Sequence, residues 1–287
     1  MSMNLDTRQR AMLAEMGVRV WQTVPAAIAP APVVAQVEVS SVSHKTETVK
    51  LVVNRPDMRT PAVVPASVSA SPATTAMPLP AGLAHMDWQQ LKSAAATCRA
   101  CELGENRNHS VFADGAPASD NRPTDLLIIG DAPGDAEDAS GTPFGGAEGV
   151  LLDAMLKAMG LSRPGNTPGT QRVVLVNALK CRGSSQRHPS THEISQCHSY
   201  LSRQIELTRP RVILALGRLA AQAVMHGSGS DAAHAPLGKL RGHAHQLHGC
   251  TVIVSYHPAY LLRTPSDKAK AWADLCQVMH LLKVAAD

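Results

Sequence analysis

Four short apolar runs recur along this sequence, and each leads into a stretch with helical spacing. The runs fall at 126–130 (LLIIG), 173–176, 212–216 and 252–255. Helical patterns follow at 149–161, 191–207, 218–226 and 268–282; in the first, Leu151, Leu152, Met155 and Met159 share one face. Unbroken apolar runs of this length fit strands buried on both faces. Their alternation with helices predicts parallel strands joined by helical crossovers. The fold class is therefore α/β. Ligands of such sheets sit beyond the carboxyl ends of the strands, so the residues just after each run are the first candidates for chemistry.

The first third of the 287 residues reads differently. Prolines recur at 25, 30, 32, 56, 61, 65, 72, 78 and 80, among many Ala, Val, Ser and Thr. Proline removes a backbone donor and fixes φ, so 25–85 is expected to be a disordered linker. Before it, 1–24 carries Met12, Leu13, Met16, Val18 and Val20 on a partly helical pattern that Gly17 interrupts. This segment is expected either to fold back on the main domain or to dock on a protein partner. The folded domain is expected at 86–287.

The start of the chain is polar, with no apolar segment resembling a secretory signal. No apolar run approaches the roughly 18 residues of a membrane span. A cytoplasmic monomer without membrane attachment is expected. The net charge of +4 is compatible with an anionic partner without requiring one. Six cysteines in a reducing compartment favour metal or catalytic use over disulfides.

Cys98 and Cys101 form C-x-x-C, Cys181 follows the second run, and Cys197 lies on the next helix. Four thiols so arranged can enclose a metal centre, but their number does not decide between zinc and an iron–sulfur cluster. Cys250 and Cys276 are expected to be buried structural thiols.

The first run opens into GDAPGDAEDASGTPFGG at 130–146, a Gly- and Pro-rich loop whose backbone can approach a ligand closely. Gly130, Ala132 and Gly134 are its candidate contacts. The loop lacks G-K-[ST], and Asp131, Asp135, Glu137 and Asp138 would repel a polyphosphate. Phe144, one of two phenylalanines, suits stacking on a planar base; core packing is the alternative. Asn177 ends the second run. Its carboxamide matches the O4 and N3–H edge of uracil and mismatches cytosine. After the fourth run comes HPAYLLR, 257–263. His257 there can donate to a developing oxyanion. Leu261 and Leu262 read as an apolar wedge for a duplex, with Arg263 meeting phosphate, or else as a staple onto the following helix.

Together these segments resemble the family 4 uracil-DNA glycosylases over 98–282. The family's first motif, G-E-x-P-G-x-x-E-D-x-x-G-x-P-F-x-G, is matched except at its second position. Asn177 with KCR at 180–182, Cys197, and HPAYLLR agree in order. The resemblance implies a three-layer αβα fold around a parallel four-stranded sheet. It implies a [4Fe–4S] cluster on Cys98, Cys101, Cys181 and Cys197. It also implies Phe144 as the stacking ring, Asn177 as the base reader, His257 as the stabiliser of uracil O2, and uracil-containing DNA as the partner. Asp131 stands where the family has Glu, one methylene longer, and is the expected group for positioning water or offsetting charge on the sugar. GSSQR at 183–187 replaces the usual Pro-Pro-x-Asn-Arg. A non-catalytic DNA-binding protein of the same fold, a four-cysteine zinc hydrolase, and excision of hypoxanthine are the alternatives.

Overall fold

The computed structural model describes residues 78–118, 122–164, 172–183, 187–226, 235–247 and 249–284. The segment 1–24, the linker up to residue 77 and most of the GSSQR substitution lie outside the described residues. Five strands form one sheet: β1 (Leu126–Gly130), β2 (Val173–Asn177), β3 (Val212–Leu216), β4 (Ala244–Leu247) and β5 (Cys250–Ser255), in the order β2-β1-β3-β5-β4. The four expected strands are present and mutually parallel. The sheet is nonetheless five-stranded, because β4 pairs antiparallel along the outer edge of β5. Its sequence, AHQL, buries only its last residue, so an edge strand of this kind leaves no apolar run to detect.

Eight helices surround the sheet among the described residues: α1 (Trp88–Thr97), α2 (Asp135–Ser140), α3 (Gly146–Ala158), α4 (Thr191–Thr208), α5 (Arg218–His226), α6 (Leu237–Leu240), α7 (Pro258–Arg263) and α8 (Lys268–Val284). The period-two pleat divides β1 between two cores. Leu126 and Ile128 pack with Leu152 and Met155 of α3 and with Trp272 and Leu275 of α8. Leu127 and Ile129 pack with Leu201 of α4 and with Ala221 and Val224 of α5. Each such side chain contributes about 1.5–3 kcal/mol by leaving water, which explains why β1 to β3 are apolar on both faces. A smaller cluster joins Leu83, Leu91, Ala95, Phe112 and Tyr200, laying α1 on α4. Packing therefore begins upstream of the expected boundary at residue 86. No described helix is long and apolar enough to cross a membrane.

Central β1 runs between β2 and β3, with Gly130 opposite Asn177. The chain thus crosses to one side of β1 and then to the other, opening a crevice at the strands' carboxyl ends. Gly130, Asn177, Leu216 and Ser255 end their strands along that rim.

Candidate active site and thiol nest

Glu137 organises the rim. The DAEDAS stretch, expected as loop, forms α2, with Gly134 at its N-cap and Glu137 reaching back as its third residue. The buried Glu137 carboxylate accepts from Gly134 N–H at 2.7 Å with one oxygen. With the other it accepts from Phe144 N–H at 2.5 Å and Asn177 Nδ2 at 3.2 Å. A carboxylate can only accept, so it fixes the Asn177 amide with nitrogen towards Glu137. Asn177 Oδ1 is left buried and without a partner among the described residues.

Phe144 is 2% exposed and belongs to the core on the α3 side, so the packing alternative for this ring has real substance. It nevertheless lines the crevice: a Cβ on Gly130 would come within 2.6 Å of its ring. The ring lies nearly parallel to the His257 imidazole, with centroids 5.7 Å apart and planes 21° apart. Its backbone sits at φ 54°, an uncommon conformation for a bulky residue. Arg163 holds it there by donating to the carbonyls of Phe144 (2.8 Å) and Pro143 (3.1 Å), while also pairing with Asp114 and Asp153.

His257 caps α7, its Nδ1 accepting from Ala259 N–H at 3.3 Å. Burial, assisted by Arg263, lowers its pKa to about 4. The ring is therefore neutral at physiological pH, and with Nδ1 accepting, its proton sits on Nε2. Asp131 accepts from Ala220 N–H at 2.8 Å at the start of α5. Burial raises its pKa to about 6, against the lowering by hydrogen bonds from Ala220 and Leu219.

Ala132 packs against the thiol cluster, and Gly134 is exposed. The two leucines of HPAYLLR divide. Leu261 is 0% exposed in the core, whereas Leu262 is 42% exposed. Leu261 is thus the staple, and only Leu262 remains available as a wedge. Arg263, next to it, is exposed. Sequence reasoning passed over Glu148, in the first turn of α3, whose Oε2 lies 3.8 Å from His257 Nδ1. It also weighed Glu137 only as a repulsive charge.

Cys98, Cys101, Cys181 and Cys197 line one small cavity beneath Ala132, together with Arg107, Lys180 and Tyr200. None is in a disulfide. Cys98 caps the end of α1, and the tight turn after Cys101 requires Gly104, where a Cβ would stand 2.8 Å from the Cys98 carbonyl oxygen. Burial raises the Cys101 and Cys181 thiols and pushes Cys197 up to about 12. Two cations adjoin them. Arg107 donates to Cys181 Sγ at 2.9 Å and to the carbonyls of Ala96 and Cys98. Lys180, fully buried, donates to the carbonyl oxygen of Asn177. Among the described residues, no three His, Cys, Asp or Glu side chains converge on a single-ion geometry. Cys250 and Cys276 lie apart from the nest and are half-buried, not buried as expected; Cys250 Sγ reaches the Pro210 carbonyl oxygen at 3.1 Å, at the end of an edge hairpin.

A model of the uracil DNA glycosylase superfamily matches residues 117–276. The type-4 uracil-DNA glycosylase of Archaeoglobus fulgidus is 33% identical over 189 residues, covering 64% of this chain and 88% of that protein. Its counterpart in Pyrobaculum aerophilum is 34% identical over 194 residues, covering 66% and 92%. That in Thermotoga maritima is 34% identical over 174 residues, covering 60% and 82%. The chain belongs to the uracil DNA glycosylase superfamily, alongside its type-4 members.

Proposed function

We propose that this protein hydrolyses the N-glycosidic bond of deoxyuridine in DNA, releasing uracil and leaving an abasic site for repair. The observation that carries the reading is the Asn177 amide: Glu137 fixes its orientation, and its acceptor is left buried without a partner among the described residues. Uracil offers N3–H to that oxygen and O4 to the second Nδ2 hydrogen. Cytosine offers the reverse pattern and leaves both mismatched.

The base must first leave the stack, at a cost of roughly a few kcal/mol. Leu262 fills the gap and Arg263 meets the backbone phosphate. Phe144 forms the wall against which the base lies. As the bond breaks, charge gathers on uracil O2, and the neutral His257 donates from Nε2. A preorganised donor of this kind is commonly worth about 10²–10³ in rate. Asp131 supplies negative charge near the cationic sugar.

The four cysteines are proposed to hold a [4Fe–4S] cluster. Their chemistry fits: four thiols outside any disulfide line one cavity, with two cations beside them. Cys98 at the end of α1, Cys101, Cys181 beyond β2 and Cys197 on α4 would hold it, and it would tie these elements together. Asp138 carries that order to the crevice, accepting from Asn108 N–H at 3.0 Å and from Asn108 Nδ2 at 2.6 Å.

The test is alkaline cleavage of a single-uracil oligonucleotide after incubation with anaerobically purified protein, with a hypoxanthine substrate in parallel. Cleavage at uracil alone is expected. Binding of DNA without cleavage by brown, iron-loaded protein would establish the non-catalytic alternative instead.

A further inference from the structure

We propose that Glu148 is the carboxylate that accepts the proton of the attacking water, with Asp131 as its electrostatic companion. This rests on the glycosylase reading above. Asp131 is already engaged, with Oδ1 taking the Ala220 N–H at the N-terminus of α5. Its carboxylate lies so close over Gly217 that a Cβ there would stand 2.3 Å from Oδ2. Burial leaves it basic, with its pKa raised to about 6, but the bond to the start of α5 commits Oδ1 and holds the carboxylate over Gly217. With one methylene fewer than the family's Glu, it also reaches less far from the end of β1.

Glu148 has the opposite character. It lies four residues beyond Phe144, on the first turn of α3, and its side chain is 37% exposed. It accepts no hydrogen bond among the described residues, and its one close polar neighbour is His257 Nδ1 at 3.8 Å. That nitrogen already accepts from Ala259, so it offers Glu148 no proton in the neutral ring. The charged groups facing Glu148 are Asp131 at the end of β1, Glu137 on α2, and Arg263 on α7. It therefore lies on the His257 side of the crevice, within electrostatic reach of the carboxylate that orients Asn177 and of Arg263. Burial and Glu137 raise its affinity for a proton, which strengthens it as a base.

In the hydrolytic step the water oxygen bonds to C1′ as the C1′–N1 bond breaks. The electron pair leaves with uracil, stabilised at O2 by His257, and the water proton passes to the Glu148 carboxylate.

Single-turnover excision by the cluster-loaded full chain tests this, comparing wild type with Glu148→Gln, Glu148→Ala and Asp131→Asn. The expected result is a rate lowered by at least about 10²-fold in both Glu148 variants, within the range for a general base. Affinity for an abasic oligonucleotide should be unchanged, formate should partly restore Glu148→Ala, and Asp131→Asn should lose less. The wild-type rate should rise with pH as the carboxylate sheds its proton, and this limb should vanish in Glu148→Gln. A Glu148→Gln rate within about threefold of wild type overturns the assignment. So does a slow Glu148→Ala that formate does not rescue and that binds DNA poorly. A wild-type protein that releases no uracil would instead sink the glycosylase reading itself.

Discussion

Replacing Glu137 with glutamine probes how the protein tells uracil from cytosine. The carboxylate accepts from Gly134 and Phe144 N–H and from Asn177 Nδ2. Glutamine keeps one acceptor oxygen and presents an NH₂ in place of the other. If the oxygen stays on the Phe144 and Asn177 side, Gly134 N–H faces a donor. If the introduced amide turns round, Phe144 N–H loses its partner, and Asn177 can satisfy the new NH₂ only by rotating its own oxygen inwards. A rotated Asn177 presents two N–H groups to the base and fits cytosine N3 better than uracil N3–H. Losing one hydrogen bond to a charged acceptor costs about 1.5–3 kcal/mol, roughly ten- to 150-fold in rate. The expected outcome for Glu137→Gln is a drop of that size in kcat/KM for uracil, with a smaller or no drop for cytosine opposite an abasic site. Both are measurable by alkaline cleavage of matched oligonucleotides. Unchanged uracil excision would refute the claim that Glu137 sets the amide.

His257→Ala should lower the single-turnover rate by about 10²–10³ while leaving affinity for abasic DNA unchanged. Leu261→Ala should cost about 2–5 kcal/mol of stability in urea melts, because it empties a buried position. Leu262→Ala should leave stability unchanged and reduce excision from duplex more than from single strands. The pH dependence of stability should separate two opposed groups. Asp131 binds its proton more tightly when folded, with pKa raised to about 6, so its contribution is present at low pH and is lost as pH rises through 6. His257 is the reverse, lowered to about 4, so its contribution is lost as pH falls towards 4. Across that window Asp131→Asn should show stability rising with pH and His257→Ala stability falling, read from urea midpoints.

The parallel strands were legible because each is an unbroken apolar run, a pattern that burial on both faces imposes. β4 was not, since an edge strand needs only one buried face and AHQL shows almost none. The short helices α2 and α7 hid inside motifs that look like loops. DAEDAS is six residues long and is fixed by Glu137 closing back on Gly134, a bond whose other end also serves Phe144 and Asn177. The spacing of Glu137 three residues after Gly134 was the available signal. Glu148 had none, because an acidic residue in a first helical turn is what the helix dipole alone would favour. Adjacent Leu261 and Leu262 look equivalent in the motif, although neighbours on a helix point about 100° apart, so that here one turns into the core and the other away from it.

Lys180 couples the thiol nest to the strand that ends in Asn177. Its ammonium is buried beside Cys181 and Cys197, and burial lowers its pKa to about 8. Burial favours the protonated form of both thiols, which gives a buried cation little countercharge. If the cysteines hold a cluster, loading it supplies the missing negative charge at the same ammonium that grips the Asn177 backbone.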